Sequence, residues 1–461
     1  MTGNPAAVLP CQLATLQTVY TNSLQIRSTS LSKSEPRRYC SDCLCGPPAH
    51  LLNWITLNTR NTLMNAPAPC RPSADLRFPI YLDYGATTPV DPQVARVMCD
   101  FLTDKFGNAA SSSHPFGWEA RRAVEQARAQ VAGLVGARPD EIIWTSGATE
   151  SNNLALKGTA HALRAQGRGK HLVTVATEHK AVLDTMHTLE KAGFEVSYLQ
   201  PDADGLVTPQ QLRAALRPDT LLASIMYVNN EIGVIQPIAA LGEVCAEHGV
   251  VFHVDAVQAA GKIAIDLAQL KVDLMSFSAH KVYGPKGIGA LYVRTNPNLK
   301  LEAQIDGGGH ENGMRSGTLA THQIVGMGAA FALAGQLLVT EGQRIRALRD
   351  RLWQGLADLP GVQLNGSAHA RVPHNLNVSF PPTRYGTLGS QLLGIAVSAG
   401  SACNSAAAAP SFVLLAIGRS PEVARNAVRF SLGRGTTEAE IDYVVATVRQ
   451  VLAHEVLQEA H

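Results

Sequence analysis

A chain of 461 residues with 39 Lys+Arg against 37 Asp+Glu and a formal net charge of +2 offers no electrostatic case for nucleic acid or an anionic membrane surface as partner. The length allows two or three domains around a large core, and no run reaches the ~18 consecutive apolar residues of a spanning helix. Cys11, Cys40, Cys43, Cys45 and Cys70 crowd the first 70 residues, leaving Cys99, Cys245 and Cys403 for the rest, which is too few for a disulfide framework and points to a reducing, cytoplasmic compartment.

Residues 1–76 lack sustained periodicity and are rich in Pro and Ser around "STSLSKSEPRRYCSDCLCGPP". They read as a disordered extension, or as upstream sequence that is not natively translated, with Met64 available as a start. A mitochondrial transit peptide (residues 1–63) would suit the Arg and Ser content but not Glu35 and Asp42. A metal knuckle from Cys40, Cys43 and Cys45 lacks a second ligand pair.

From "IYLDYGATTPVDPQV" (80–94) onward the pattern is regular. Pro92 predicts the first turn of a helix to about Lys105, and "WEARRAVEQARAQVAGLVG" (118–136) a second helix closed by Gly136. "EIIWTSG" reads as a strand, followed by a helix from Glu150 to about Ala165. Strands "HLVTVAT", "FEVSYLQ", "TLLASIMYV" and "VVFHVDAV" then alternate with helices "HKAVLDTMHTLEKAG", "TPQQLRAALR" and "IAALGEVCAEHG". Apolar strands separated by amphipathic helices predict an α/β fold with a buried, mostly parallel sheet whose ligand lies at the carboxyl ends of the strands. "IVGMGAAFALAGQLLV" (324–339) reads as a packed helix. "RALRDRLWQGLADLPGVQLNG" (346–366) opens a second, smaller α+β region. The expected division is 77–105, packing with the small domain; 106–340, the large domain; and 341–461, the small domain.

Chemistry-bearing residues fall at the predicted strand ends. "TSGATESNN" (145–153) places a glycine turn before a helix start, where backbone N–H groups and the Thr149 hydroxyl make an anion site or an ordinary helix cap. Asp255 follows an apolar strand and needs a cationic partner, either a pyridinium nitrogen or a Lys or Arg. Lys281 follows another apolar strand and precedes a Gly-Pro turn; a desolvated lysine there can form a Schiff base. Ser278 and His280 flank it as phosphate donors, and Lys286 is a rival in a loop setting. His179 sits between a strand and a helix, as a catalytic or a merely structural histidine. Cys403 stands in "SAGSACNSAAAAP" (398–410), a segment of small residues that predicts a mobile loop.

Taken in order, "YLDYGATTPVDP", "TSGATESNNLA", "TEHKAVLD", "VNNEIGVIQPI", "HVDAVQAAGK", "SFSAHKVYGPKGIGALYVR", "GGGHENGMRSGT" and "GSACNS" resemble the cysteine desulfurases, fold-type I relatives of the class V aminotransferases. The likeness extends over about Ile80 to Val451 and is greatest to the housekeeping enzymes of iron–sulfur cluster assembly. It implies a large domain with a mostly parallel seven-stranded sheet, a smaller α+β domain, and pyridoxal 5'-phosphate as cofactor. Lys281 would hold the cofactor covalently, Asp255 would pair with its pyridine nitrogen, and Gln258 would reach its phenolic oxygen. His179 would stack over the ring and move protons. Ala148, Thr149, Ser278 and His280 would bind the phosphate. Thr318 would reach the phosphate of the neighbouring subunit, implying a homodimer. Asn230 would lie near the carboxylate of L-cysteine, and Arg429 would clamp it, with Arg434 as the alternative. Cys403 would take the substrate sulfur as a persulfide, deliver it to an iron–sulfur scaffold or another acceptor protein, and at most transiently ligate a nascent cluster.

Three departures stand out. Ala279 replaces a usual glycine, which would set one methyl group near the phosphate. The segment 381–397 is compressed. The tail after "HEVLQEAH" by which the housekeeping enzymes dock their scaffold is expected to be missing. A selenocysteine lyase and a non-catalytic scaffold of the same fold remain the alternatives.

Overall fold

The computed structural model describes residues 76–384, 386–399 and 409–459. The expectations for residues 1–75, for the cysteine knuckle and for the loop carrying Cys403 lie outside the described residues.

Local chemistry sets the first elements. Strand β1 (Ile80–Tyr81) is short, and helix α1 (Pro92–Thr103) begins where Asp91 accepts from Gln93 N and Pro92 occupies the first turn. Helix α2 (Pro115–Val135) starts three residues before the predicted position, because His114 caps it through Gly117 N and Pro115 suits its first turn. It ends at Gly136, whose φ of 66° is the left-handed conformation glycine adopts without steric cost. After β2 (Ile142–Thr145) come α3 (Ala148–Asn153), a π-helical turn (Leu154–Gly158) and α4 (Thr159–Ala165). The expected single helix is thus present, begins two residues earlier, and widens where the Gly158 carbonyl accepts from Glu302 N.

The alternation continues through β3 (His171–Val175), α5 (Lys180–Lys191), β4 (Glu195–Leu199), α6 (Pro209–Ala215), β5 (Thr220–Ser224), α7 (Ile238–Glu247), β6 (Val251–Asp255), β7 (Leu274–Ser278) and β8 (Gly289–Val293). These strands form one seven-stranded sheet in the order β2-β8-β7-β6-β5-β3-β4, with β8 alone running against the rest. Successive residues alternate between faces. Trp144, Val173, Phe252 and Met275 join one apolar core with residues of α2 and α7, while Ile143, Leu172, Val251 and Leu274 join another with Leu163, Val182 and Met186. Burial on both faces explains why these strands read as nearly continuous apolar runs.

Helix α8 (Thr321–Gln354) runs 34 residues without interruption. The sequence reading put a domain border at 340/341 and a new helix at Arg346. The residues between, "TEGQR" (340–344), are part of the same helix, which tolerates Gly342. Ile324, Met327 and Phe331 pack into the sheet's core, whereas Ile345, Leu348 and Leu352 pack into a second core with Ile80, Leu82, Val378, Phe430 and Val444. By length and composition alone this helix could cross a membrane; Ile324, Met327, Phe331, Ile345, Leu348 and Leu352 are taken up by these two cores, while Val339 between them is exposed.

The second core lies under a four-stranded sheet, β12-β13-β10-β9, built from β9 (Gln363–Leu364), β10 (Asn375–Ser379), β12 (Ser398–Ala399) and β13 (Ala427–Ser431). Helix α9 (Leu388–Gln391) falls in the compressed segment, and β11 (Ile395–Ala396) pairs with β1 in parallel. Helices α10 (Phe412–Ala416), α11 (Pro421–Arg425) and α12 (Glu438–Glu459) complete the described chain.

Candidate active site

The carboxyl ends of β2, β3, β5, β6 and β7 open on one cleft of about 590 Å³. Ten residues singled out in the sequence line it: Ala148, Thr149, His179, Asn230, Asp255, Gln258, Ser278, His280, Lys281 and Arg429. Thr318 is exposed and does not line the cleft of its own chain. Cys403 lies outside the described residues. Among the described residues no cluster of His, Cys, Asp and Glu could hold a metal ion.

Lys281 ends a 3₁₀ turn that follows β7 directly. Its Nζ donates to the carbonyls of Gly85 at 2.8 Å and Ala86 at 2.7 Å, so the segment after β1 holds the amine in the cleft. Its rival Lys286 is exposed at the rim, and its backbone carbonyl accepts from Gln323.

Asp255 terminates β6 and is 5% exposed. Its carboxylate accepts from Asn152 Nδ2 at 2.8 Å and Val257 N at 3.1 Å. Both donors are neutral, so the buried negative charge still favours a cationic ligand atom. The sequence reading passed over Asn152. It lies four residues after Ala148 on the same helix face, and that spacing was the available signal.

His179 caps α5 and accepts from Ala181 N at Nδ1 across 3.1 Å. The acceptor role of Nδ1 leaves the proton of the neutral ring on Nε2. Burial holds its pKa below the ordinary value, Lys281 adds to the effect and Asp255 opposes it. His280 shares a hydrogen bond with Thr87 Oγ1 at 3.1 Å, and burial with the charges of Lys281 and Lys286 brings it down to about 4. Both rings act as neutral groups near pH 7.

Gln258 Nε2 donates to Gly85 O at 2.9 Å. Ser278 is buried at the end of β7, and α3 starts at Ala148 after Gly147 with no side chain capping it. Together they present hydroxyls and a helix start toward an anion. Ala279 does not sit beside that anion site: it is fully buried, belongs to the sheet's core and packs beside Gly284. Its methyl group belongs to that core, and Ala279 does not line the cleft.

Arg429 on β13 is 4% exposed. One terminal nitrogen donates to Asp83 Oδ1 at 2.8 Å and Ser398 Oγ at 3.0 Å, the other to Asn230 O at 2.9 Å. Among the described residues, the buried Arg429 Nε and Asn230 Oδ1 have no partner. Arg434 is committed elsewhere, to Asp91, Glu341 and the Tyr283 ring, and it does not line the cleft. Beside Asn230, Glu231 is buried, receives a hydrogen bond from Ser411 and is pushed up to about 7 by burial, which outweighs Ser411 and Arg429.

An amine, a buried carboxylate with neutral donors, an anion-binding helix start and orphaned Arg429 and Asn230 atoms suit an anionic, aromatic, cationic-nitrogen cofactor beside an amino-acid carboxylate. The class-V aminotransferase profile matches residues 80–444. Over 378 residues the chain is 61% identical to a protein named cysteine desulfurase IscS from Methylococcus capsulatus, covering 82% of this chain and 93% of that one. A protein of the same name from Pseudomonas putida is 60% identical over 81% of this chain and 92% of its own. Among solved structures, a NifS-like protein superposes with a TM-score of 0.75 at 39% identity, covering 81% of this chain and 99% of that one. A structure described as SspA in complex with cysteine superposes with a TM-score of 0.69 at 40% identity, covering 77% and 98%.

Proposed function

The chain belongs to the class-V aminotransferase family, and on that premise we propose how its cleft works as a cysteine desulfurase that takes pyridoxal 5'-phosphate. The enzyme converts L-cysteine to L-alanine and transfers the sulfur to an enzyme cysteine. The observation that carries the residue roles is the convergence of Lys281, Asp255, His179 and Arg429 on one cleft.

When bound, pyridoxal phosphate supplies an electron sink that acidifies Cα–H and labilises the Cβ–S bond. Lys281 would hold the cofactor, and its amine would move the Cα proton. Asp255 would stabilise positive charge on the ring nitrogen, and Gln258 would serve the phenolic oxygen. His179, a neutral imidazole with its proton on Nε2, would face the ring. Ala148, Thr149, Ser278 and His280 would hold the phosphate. Arg429 would orient the carboxylate of L-cysteine through its unpartnered Nε–H, and Asn230 would lie beside it with its Oδ1 open to a donor. The Cys403 thiolate forms an S–S bond to the substrate sulfur, the Cβ–S bond breaks with its electron pair on carbon, and protons returned to Cβ and Cα complete L-alanine.

The enzyme works as a homodimer in which Thr318 serves the partner's phosphate. Support comes from the exposure of Thr318 and of Phe106, Phe116 and Trp118 near the start of α2, which form an uncovered apolar surface. The persulfide passes to an iron–sulfur scaffold or another acceptor in the cytoplasm.

The test is to load the full chain with cofactor and add L-cysteine, with Cys403→Ala alongside. The visible spectrum is expected to shift in both proteins, while only the parent yields alanine and a persulfide. Equal sulfide release from both would remove Cys403 from the mechanism. Preference for L-selenocysteine with no need of Cys403 would make the protein a lyase.

A further inference from the structure

Glu150 puts a carboxylate where an anion is to be held. Ser146, Gly147, Ala148, Thr149 and Glu150 follow one another along one wall of the cleft, and on the cofactor reading this wall takes the phosphate. The Glu150 side chain is 14% exposed. Its Oε2 accepts from Ser146 N at 2.7 Å, closing the turn ahead of Ala148. Burial pushes its carboxyl upward, but the bonds from Arg315 and Ser146 outweigh burial and hold it below the ordinary value, so it is ionised near pH 7. A phosphate set next to a bare carboxylate meets like-charge repulsion.

Arg315 supplies the counter-charge. Its Nε donates to Glu150 Oε1 at 2.8 Å and one terminal nitrogen donates to Oε2 at 3.4 Å, the two-pronged geometry a guanidinium offers a carboxylate. The Arg315 side chain is 19% exposed and does not line the cleft. The same segment is fastened a second time at Glu311, which accepts from Arg128 at 2.8 and 3.0 Å and from Trp144 N at 2.8 Å. Glu311 and Asn312 adopt φ of 51° and 56°, a left-handed backbone that costs residues other than glycine. Held at two points, this backbone delivers the Arg315 fork to Glu150 in a fixed orientation.

We infer that Arg315 is a positioning residue for the cofactor: it pairs with Glu150 so that a carboxylate in the phosphate wall does not repel the phosphate, and thereby sets how tightly the phosphorylated cofactor is held. The inference rests on the pyridoxal phosphate reading of the cleft. Arg315 acts through Glu150 from a segment outside the cleft wall, so its loss weakens a ring that carries the phosphate charge and spares the same ring without it.

The experiment titrates the full chain, stripped of cofactor, with pyridoxal 5'-phosphate and with 5'-deoxypyridoxal, which lacks the phosphate, and reads each affinity from the visible imine band. Arg315→Met is expected to weaken pyridoxal phosphate roughly tenfold and to change 5'-deoxypyridoxal by less than about twofold. Arg315→Gln, which can still donate to Glu150, must show the same selective loss, and Arg315→Lys, which keeps the charge, must retain most of the affinity. Glu150→Gln is expected to hold pyridoxal phosphate at least as tightly as the parent. Added to Arg315→Met, it should bring the affinity back to within about threefold of the parent. Equal losses for the two aldehydes would show that Arg315 only shapes the wall and would overturn the inference. So would a selective loss that persists undiminished in the Glu150→Gln background, or no loss at all. A parent that forms no imine band with pyridoxal phosphate would overturn the cofactor reading, and the inference with it.

Discussion

Asn152 Nδ2 donates to Asp255 Oδ2 at 2.8 Å, joining the first helix after β2 to the end of β6, 103 residues later. An asparagine at 255 removes the charge and keeps both neighbours paired, its Oδ1 accepting from Val257 N and its Nδ2 donating to Asn152 Oδ1 once the Asn152 amide turns over. Asp255→Asn is therefore expected to keep the parental unfolding midpoint and to lose on the order of 10²- to 10³-fold in turnover. Steady-state alanine formation and a thermal melt check both halves. A variant with parental turnover would remove Asp255 from the ring nitrogen.

Lys281 and Lys286 separate by covalent trapping. Borohydride reduction of the loaded enzyme is expected to fix the cofactor's mass on the Lys281 peptide. Lys281→Ala abolishes the adduct, and Lys286→Ala, which alters an exposed side chain, leaves it intact. Peptide mapping decides between them.

His179 is expected to titrate below the ordinary value of about 6.5, because burial and the Lys281 charge disfavour imidazolium. In a ¹⁵N-histidine sample its neutral form should carry the proton on Nε2, since Nδ1 accepts from Ala181 N. A midpoint above 6.5 would contradict the buried, lysine-flanked setting.

Two buried groups should tilt stability with pH in opposite senses. Glu178 accepts from Met226 N, and burial raises its pKa well above 4.5. The folded form keeps its proton while the unfolded chain ionises, so this contribution is present below 4.5 and is lost as pH rises toward the folded value. His253 lies between Ser224 and Ser276 and is lowered by burial to about 3. The unfolded chain takes up a proton below 6.5 and the folded one does not, so this contribution is lost as pH falls from 6.5 toward 3. Urea unfolding from pH 5 to 7 should show Glu178→Gln losing less stability than the parent as pH rises. His253→Gln should lose less as pH falls. Each difference amounts to up to about 1.4 kcal/mol per pH unit.

A methyl group on Gly284 would meet Ala279 Cβ at 2.9 Å and Ala330 Cβ at 3.2 Å. Gly284→Ala is expected to cost about 1–3 kcal/mol by overpacking. In an Ala279→Gly background the cost should fall by at least about 0.5 kcal/mol, the signature of direct contact. Additive effects in the double-mutant cycle would place the two residues apart.

The sequence disclosed what local pattern can carry. Alternating apolar strands and amphipathic helices specify the sheet, and Asp255, Lys281 and His179 advertise themselves because a charged or titratable residue follows a buried strand. Less legible were contacts closed over long separations. The carbonyls of Gly85 and Ala86 on Lys281, Asp83 on Arg429, and Ser411 on Glu231 have no local signature. Asp83 also follows a short apolar strand, but its partner lies 346 positions away. The burial of Ala279 in the sheet's core was illegible because position in a motif does not say which way a side chain turns, and the continuity of α8 past 340 because a short polar stretch within a helix looks like a linker.

Strand β1 pairs with β11, joining Ile80 to Ile395, and Asp83 bridges to Ser431. A ribosome adding about 5–20 residues per second needs on the order of half a minute between making the first of these partners and the last. Throughout that interval the seven-stranded sheet can assemble, and residues 258–283 can already hold the segment bearing Gly85 and Ala86 through Gln258, His280, Lys281 and Tyr283. Ile80 and Asp83, on the other side of that segment, find their strand partners only when the last-made residues arrive, so the lysine frame is set by the large domain and the small domain closes onto it afterwards.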